Sequence, residues 1–103
     1  MTKKACRPFE VGDFDLLKNP EQAALYLAEC YEEGEEMFQL ALRDVARAQK
    51  GGISGVAETA GLNRTNLYRS LSKTGSPNFK TIKKMVDALG LKMKLSFEPK
   101  GLT

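Results

Sequence analysis

The chain has 103 residues and a formal net charge of +3, a size suited to one small domain that folds around its own core. It has no histidine and only two cysteines, Cys6 and Cys30, which excludes Ser-His and Cys-His nucleophile pairs and leaves no zinc set. No apolar run approaches the ~18 residues of a membrane span and no Gly-rich phosphate loop follows a strand, so the expectation is a cytoplasmic binding protein, not an enzyme, with no metal or cofactor.

Residues 1–18 form an N-terminal arm without clear periodicity, in which Phe9, Val11 and Phe14 are candidates to anchor on the core. The opening "MTKKACRPFEVGDF" lacks the apolar stretch of a secretory signal. Cys6 lies in this arm. Cys30 falls in a helical pattern and reads as a small packed residue, so no disulfide is expected. Residues 19–98 read as a single domain and 99–103 as a tail.

The first helix opens at "NPEQ". Asn19 is the N-cap, Pro20 fits the first helical position, and Gln22 completes a variant of the capping box. Ala24, Leu27, Ala28 and Tyr31 fall on one stripe at helical spacing, and Gly34 ends or bends the helix. A second helix spans about residues 35–50, with Phe38, Ala41, Leu42 and Val45 on its apolar face. Glu35 and Glu36 at its start and Arg47 and Lys50 at its end complement the helix dipole. As sequence neighbours, the two glutamates fan apart and do not form a catalytic pair. Gly51-Gly52 stops the helix. A short third helix follows, with Ser54 as candidate N-cap and Val56, Ala57 and Ala60 inward. Asn63 caps a fourth helix of about residues 64–71. After the turn-rich "SKTGSPN" a fifth helix runs to about Leu89, burying Phe79, Ile82, Met85, Val86 and Leu89, and ends at Gly90.

The period then changes. In "LKMKLSFE", residues 91–98, Leu91, Met93, Leu95 and Phe97 alternate with Lys92, Lys94, Ser96 and Glu98, the pattern of a half-buried β-strand closed by Pro99. A strand needs a partner for its backbone groups. "RPFEV" of the same chain is one source and a second copy is the other. The second copy is favoured, because a reader of two-fold DNA sites benefits from being a dimer.

"VAETAGLNRTNLYRSLS", residues 56–72, has the spacing of a helix-turn-helix. Ala57 is the small residue where two helices cross, Gly61 makes the turn, Leu62 closes the corner and Leu67 anchors the second helix. Ser70 is the one weak match. With Leu67 and Leu71 inward, Asn63, Arg64, Thr65, Tyr68 and Arg69 face outward, a set able to bond base edges in a major groove. Lys73, Lys80, Lys83 and Lys84 are placed for phosphate contacts. The plainer reading is a helical bundle with a polar outer face, in which Tyr68 covers the core. Charge favours the first reading. Residues 1–36 carry nine acids and four bases, a net −5, and residues 37–103 carry four acids and twelve bases, a net +8. The basic part attracts a polyanion, and the acidic part is left for a different partner.

In the order of its pieces, "YLAECYEEG", "GLNRTNLYRSLS", "GSPNFKTIKKMVDALGL" and "KMKLSF", the chain resembles the probable addiction-module antidote proteins over about residues 9–98. These are small helix-turn-helix antitoxins. The resemblance implies a mainly α fold, a five-helix lambda-repressor-like bundle with one C-terminal β-strand. It implies an antitoxin of a type II toxin–antitoxin module that represses its own operon on double-stranded operator DNA. It also implies a homodimer and a cognate RelE/ParE-like toxin that is small and basic. The family's recognition positions carry over onto Asn63, Arg64, Thr65, Tyr68 and Arg69. Glu29, Glu32, Glu33, Glu35 and Glu36 are the candidate toxin-binding residues, on charge complementarity. The competing reading is a stand-alone prophage-type transcriptional regulator without a toxin.

Overall fold

The computed structural model describes residues 13–101. A 3-10 helix, Asp13–Lys18, leads into α1 (Pro20–Glu33), α2 (Glu35–Ala48), α3 (Gly52–Ala60), α4 (Arg64–Ser70) and α5 (Phe79–Ala88). The mainly helical, five-helix expectation holds. Phe9, Val11, Cys6, the Phe14 side chain and the "RPFEV" segment lie outside the described residues.

Asn19 caps α1 as its sequence suggests. Its side-chain oxygen accepts from the backbone N–H of Glu21 at 2.8 Å and of Gln22 at 3.1 Å. The reciprocal bond from the Gln22 side chain is not made among the described residues. Asp15 and Lys18 form an exposed ion pair at 3.4 Å within the 3-10 helix, and Leu17 is fully buried. Gln49 fixes that segment, donating to the carbonyls of Leu17 and Val45, each at 3.0 Å.

α2 is the central helix, packed against α1, the 3-10 helix and α3. Its apolar face is as expected, with Ala41, Leu42 and Val45 buried and Phe38 half-buried, and it also buries Ala46 and Ala48. α3 in turn packs against α4 and α5. The buried side chains of all five helices form one apolar cluster, and no charged residue is buried among the described residues.

Four readings are corrected. First, α1 buries Ala23, Tyr26, Leu27 and Cys30, whereas Ala24, Ala28 and Tyr31 are exposed. The helix is apolar on two sides, and Tyr26 goes inward because its hydroxyl donates to Asp44 of α2 at 2.9 Å. Second, Ser54 is not an N-cap. α3 begins at Gly52, after Gly51 and Gly52 turn the chain at φ of 81° and 62°. The helix can start there because Gly55 lies against the turn that follows α2, where a Cβ would sit 2.5 Å from the Lys50 carbonyl oxygen. Third, Phe79 is 55% exposed at the start of α5, while Met85, Val86 and Leu89 are buried as expected.

The fourth concerns the C-terminus. Residues 91–99 form neither strand nor helix, and residues 92–98 make no backbone–backbone hydrogen bond among the described residues. The alternation survives only as packing. Leu91 and Met93 are half-buried against the core, while Leu95 and Phe97 are exposed. The physical reason is that a ladder needs a second strand, and the described chain offers none.

Candidate functional site

The corner between α3 and α4 is built by backbone chemistry. Gly61 takes the left-handed conformation, φ 72° and ψ 32°. No side chain would obstruct a Cβ there, so the need for glycine is conformational. The Leu62 N–H donates to the Ala57 carbonyl at 2.8 Å and the Gly61 N–H to the Glu58 carbonyl at 3.2 Å. This is the paired bond pattern of a Schellman motif. Leu62 packs against the core, and Ala57 and Val56 are buried beneath the corner.

Asn63 then caps α4, its side-chain oxygen accepting from the Asn66 N–H at 2.9 Å. That oxygen is therefore engaged locally, and the Asn63 amide NH2 has no partner among the described residues. Leu67 and Leu71 are buried and anchor the helix. Ser70, half-buried, donates its hydroxyl to the Asn66 carbonyl at 2.7 Å, which is how a small polar residue fits there.

The structure brings Asn63, Arg64, Thr65, Tyr68 and Arg69 together on the exposed side of this one short helix. Tyr68 is 49% exposed, and its hydroxyl lies 3.4 Å from Ser54 Oγ, joining α4 to α3. Lys73 is exposed just beyond α4. Lys80 comes from the first turn of α5 and Lys83 and Lys84 from the next turn, all three exposed. Arg64, Arg69, Lys73 and Lys80 form no ion pair among the described residues. Their charge is available to an outside anion.

Sequence reasoning missed two residues here. Asn66 is exposed on α4, and with Leu67 and Leu71 inward it shares the outward surface. Gln39 of α2 reaches across to the far end of α4. Its amide lies within donating distance of the carbonyls of Ser70 at 3.2 Å, Ser72 at 2.8 Å and Gly75 at 3.0 Å. Nothing in the sequence marks this glutamine, which the fold leaves half-buried. The same loop needs Gly75, where a Cβ would fall 2.1 Å from the Arg69 carbonyl oxygen.

Glu29, Glu32, Glu33, Glu35 and Glu36 are all exposed at the corner where α1 passes into α2 through Gly34. Beside them opens an apolar groove of about 540 Å³. Tyr31 and Phe38 form one wall, edge to face at a centroid distance of 5.5 Å. Phe79 and Ile82 of α5 and the segment through Leu95 form the other. Glu32, Glu35, Lys92 and Lys94 also line the groove.

Among the described residues no helix is long and apolar enough to cross a membrane. No solved structure gives a significant match. An uncharacterized protein of Haemophilus influenzae (strain ATCC 51907 / DSM 11121 / KW20 / Rd) is 39% identical over 90 residues, covering 84% of this chain and 91% of that protein. The family model described as probable addiction module antidote protein matches residues 6–97. With nearly the whole chain matched, the protein belongs to the family of probable addiction module antidote proteins.

Proposed function

We propose that the protein is the antitoxin of a type II toxin–antitoxin module, a non-enzymatic cytoplasmic protein that represses its own operon. In this reading α3 and α4 are a helix-turn-helix of the lambda-repressor-like class, and α4 enters the major groove of operator DNA. The observation that carries it is the exposed face of α4. Asn63, Arg64, Thr65, Tyr68 and Arg69 share that face while Leu67 and Leu71 hold the opposite side in the core. Arg64 and Arg69 supply guanidinium forks suited to guanine, and the amide of Asn63 and hydroxyl of Thr65 bond bases or phosphates. Lys73 and Lys80 add sequence-independent affinity through phosphates. Two protomers joined through residues 91–98 bind the two halves of the operator.

The second partner is a small basic toxin of the RelE/ParE-like kind. Its binding surface is the acidic corner of Glu29, Glu32, Glu33, Glu35 and Glu36, whose charge steers a cationic partner. Membership in an antidote family supports a toxin partner.

The decisive experiment is co-expression with the adjacent gene, with growth, pull-down and binding to the upstream DNA as readouts. The proposal expects a lethal neighbour rescued by this protein, a stable complex, and salt-dependent operator binding. Operator binding with no toxic or co-purifying neighbour supports instead a stand-alone prophage-type regulator. Absence of DNA binding at low salt rejects the role of α4.

A further inference from the structure

Around the apolar groove the molecule leaves several large apolar side chains in solvent. Tyr31 is 61% exposed, Phe79 55%, Leu95 60% and Phe97 90%. Next to it run residues 92–98, whose backbone groups have no backbone partner among the described residues. Both features ask for an occupant, and the charges say which one. The groove's lining includes both Glu32 and Glu35 and Lys92 and Lys94. A surface carrying both signs can be complementary to itself under a two-fold axis.

We infer that the groove is filled by a second copy of this chain, through antiparallel pairing of residues 91–98 in a register centred on Leu95. This rests on the dimeric state proposed above and specifies it. Pairing must match apolar with apolar positions, since a slip by one residue turns every side chain to the wrong face. Of the registers that remain, one centred on Lys94 sets two lysines directly opposite each other, and one centred on Met93 sets Lys92 against Lys94, both destabilising. One centred on Ser96 shortens the ladder to residues 94–98 and sets Met93 against Pro99 and Lys92 against Lys100. Centred on Leu95, Lys92 faces the partner's Glu98, Lys94 faces the partner's Ser96, and Leu95 meets its own copy. Met93, which lines the groove, faces the partner's Phe97. The most exposed large apolar side chain is thereby laid over the groove of the other protomer. An isolated two-stranded ribbon is marginal in water. Here each strand has an apolar floor, because Leu91 and Met93 already pack against their own core. The strand pattern read in the sequence then exists only in the pair.

The test uses the full chain in sedimentation or light scattering across micromolar concentrations. Wild type is expected to be a dimer. Phe97→Asp, a change at an exposed position of the protomer, should weaken dimerisation at least tenfold without changing helix content. Lys92→Glu and Glu98→Lys should each weaken it. The double variant should return to within about threefold of wild type, because the swapped charges face each other again. A dimer insensitive to Phe97→Asp, or single charge variants that the double fails to rescue, overturns this register and leaves a dimer of another kind. A monomeric wild type overturns the dimer itself and gives the groove to a different protein, such as the toxin. Neither result bears on whether α4 reads DNA, which a single half-site binding assay reports separately.

Discussion

Gln39 and Ser72 are joined across the molecule, the side-chain amide of one donating at 2.8 Å to the carbonyl of the other. The bond links the central helix to the turn that follows α4, and the same amide serves Ser70 and Gly75. Backbone carbonyls at a helix end have no partner within the helix. Gln39 supplies one from a rigid neighbour, so the end of α4 is fixed relative to α2.

Gln39→Leu should therefore lower stability by about 1–3 kcal/mol, the cost of leaving partly buried carbonyls unsatisfied. Gln39→Glu should do no better, since a carboxylate cannot donate. Urea denaturation measures the loss. If either variant is as stable as wild type, the amide is not holding the turn.

Gly61→Ala should cost about 1–2 kcal/mol, because a residue with a Cβ is strained at positive φ. Gly61→Asn should cost less, since asparagine visits this conformation more readily. Gly75→Ala acts differently. Its Cβ would collide with the Arg69 carbonyl, so the loop must move and operator affinity should fall along with stability. Thermal melts of the three variants separate strain from collision.

Arg64→Ala or Arg69→Ala should each cost about 1–3 kcal/mol in operator binding where the arginine reads a base. Lys73→Ala and Lys80→Ala should weaken binding to all sequences alike and flatten the salt dependence by about one phosphate contact each. Titrations at several salt concentrations distinguish the two classes. Unchanged affinity in both arginine variants removes α4 as the reader.

Tyr26→Phe should cost about 0.5–1.5 kcal/mol through loss of the bond to Asp44. Adding it to Asp44→Ala should cost little more, because the interaction is already gone. Additive losses in this double-mutant cycle would mean the two side chains contribute separately.

Replacing Glu33 and Glu36, which do not line the groove, together by Gln should slow capture of a basic toxin, most strongly at low salt, and leave operator affinity unchanged. Association rates measured by surface plasmon resonance test this. A rate that does not respond moves the toxin surface elsewhere.

The helices and the α3–α4 corner were readable because their signals are local. Asn19, Gly61 and Asn63 sit at helix ends whose chemistry depends on a few neighbouring residues, and all three act there in the structure. The errors have non-local causes. Which side of α1 goes inward depends on its packing against α2 and the 3-10 helix, where Tyr26 also finds Asp44, eighteen residues away. Phe79 reads as core by spacing but lies on the edge of a groove that only the folded chain creates. Gln39 carries no motif, and its role depends on carbonyls more than thirty residues away. The alternation of residues 91–98 is a real pattern, but a strand is a property of two segments. On the face of α4, spacing identified the outward positions and the cap at Asn63, while the exposure of Asn66 emerges only from the folded chain.

One backbone device occurs twice. At the end of α5, Leu91 N–H donates to the Val86 carbonyl and Gly90 N–H to the Asp87 carbonyl, the same pair of bonds that Leu62 and Gly61 make after α3. Each time a left-handed glycine reverses the chain and a leucine pins it to the core. One copy launches α4 and the other launches the C-terminal segment. Direction and message are thus written in different residues. Arg64, Thr65 and Arg69 take no part in setting where α4 points, just as Phe97 does not set where its own segment leaves the core. A lineage of such proteins can exchange the side chains that choose an operator or a mate while the aim of both segments stays inherited.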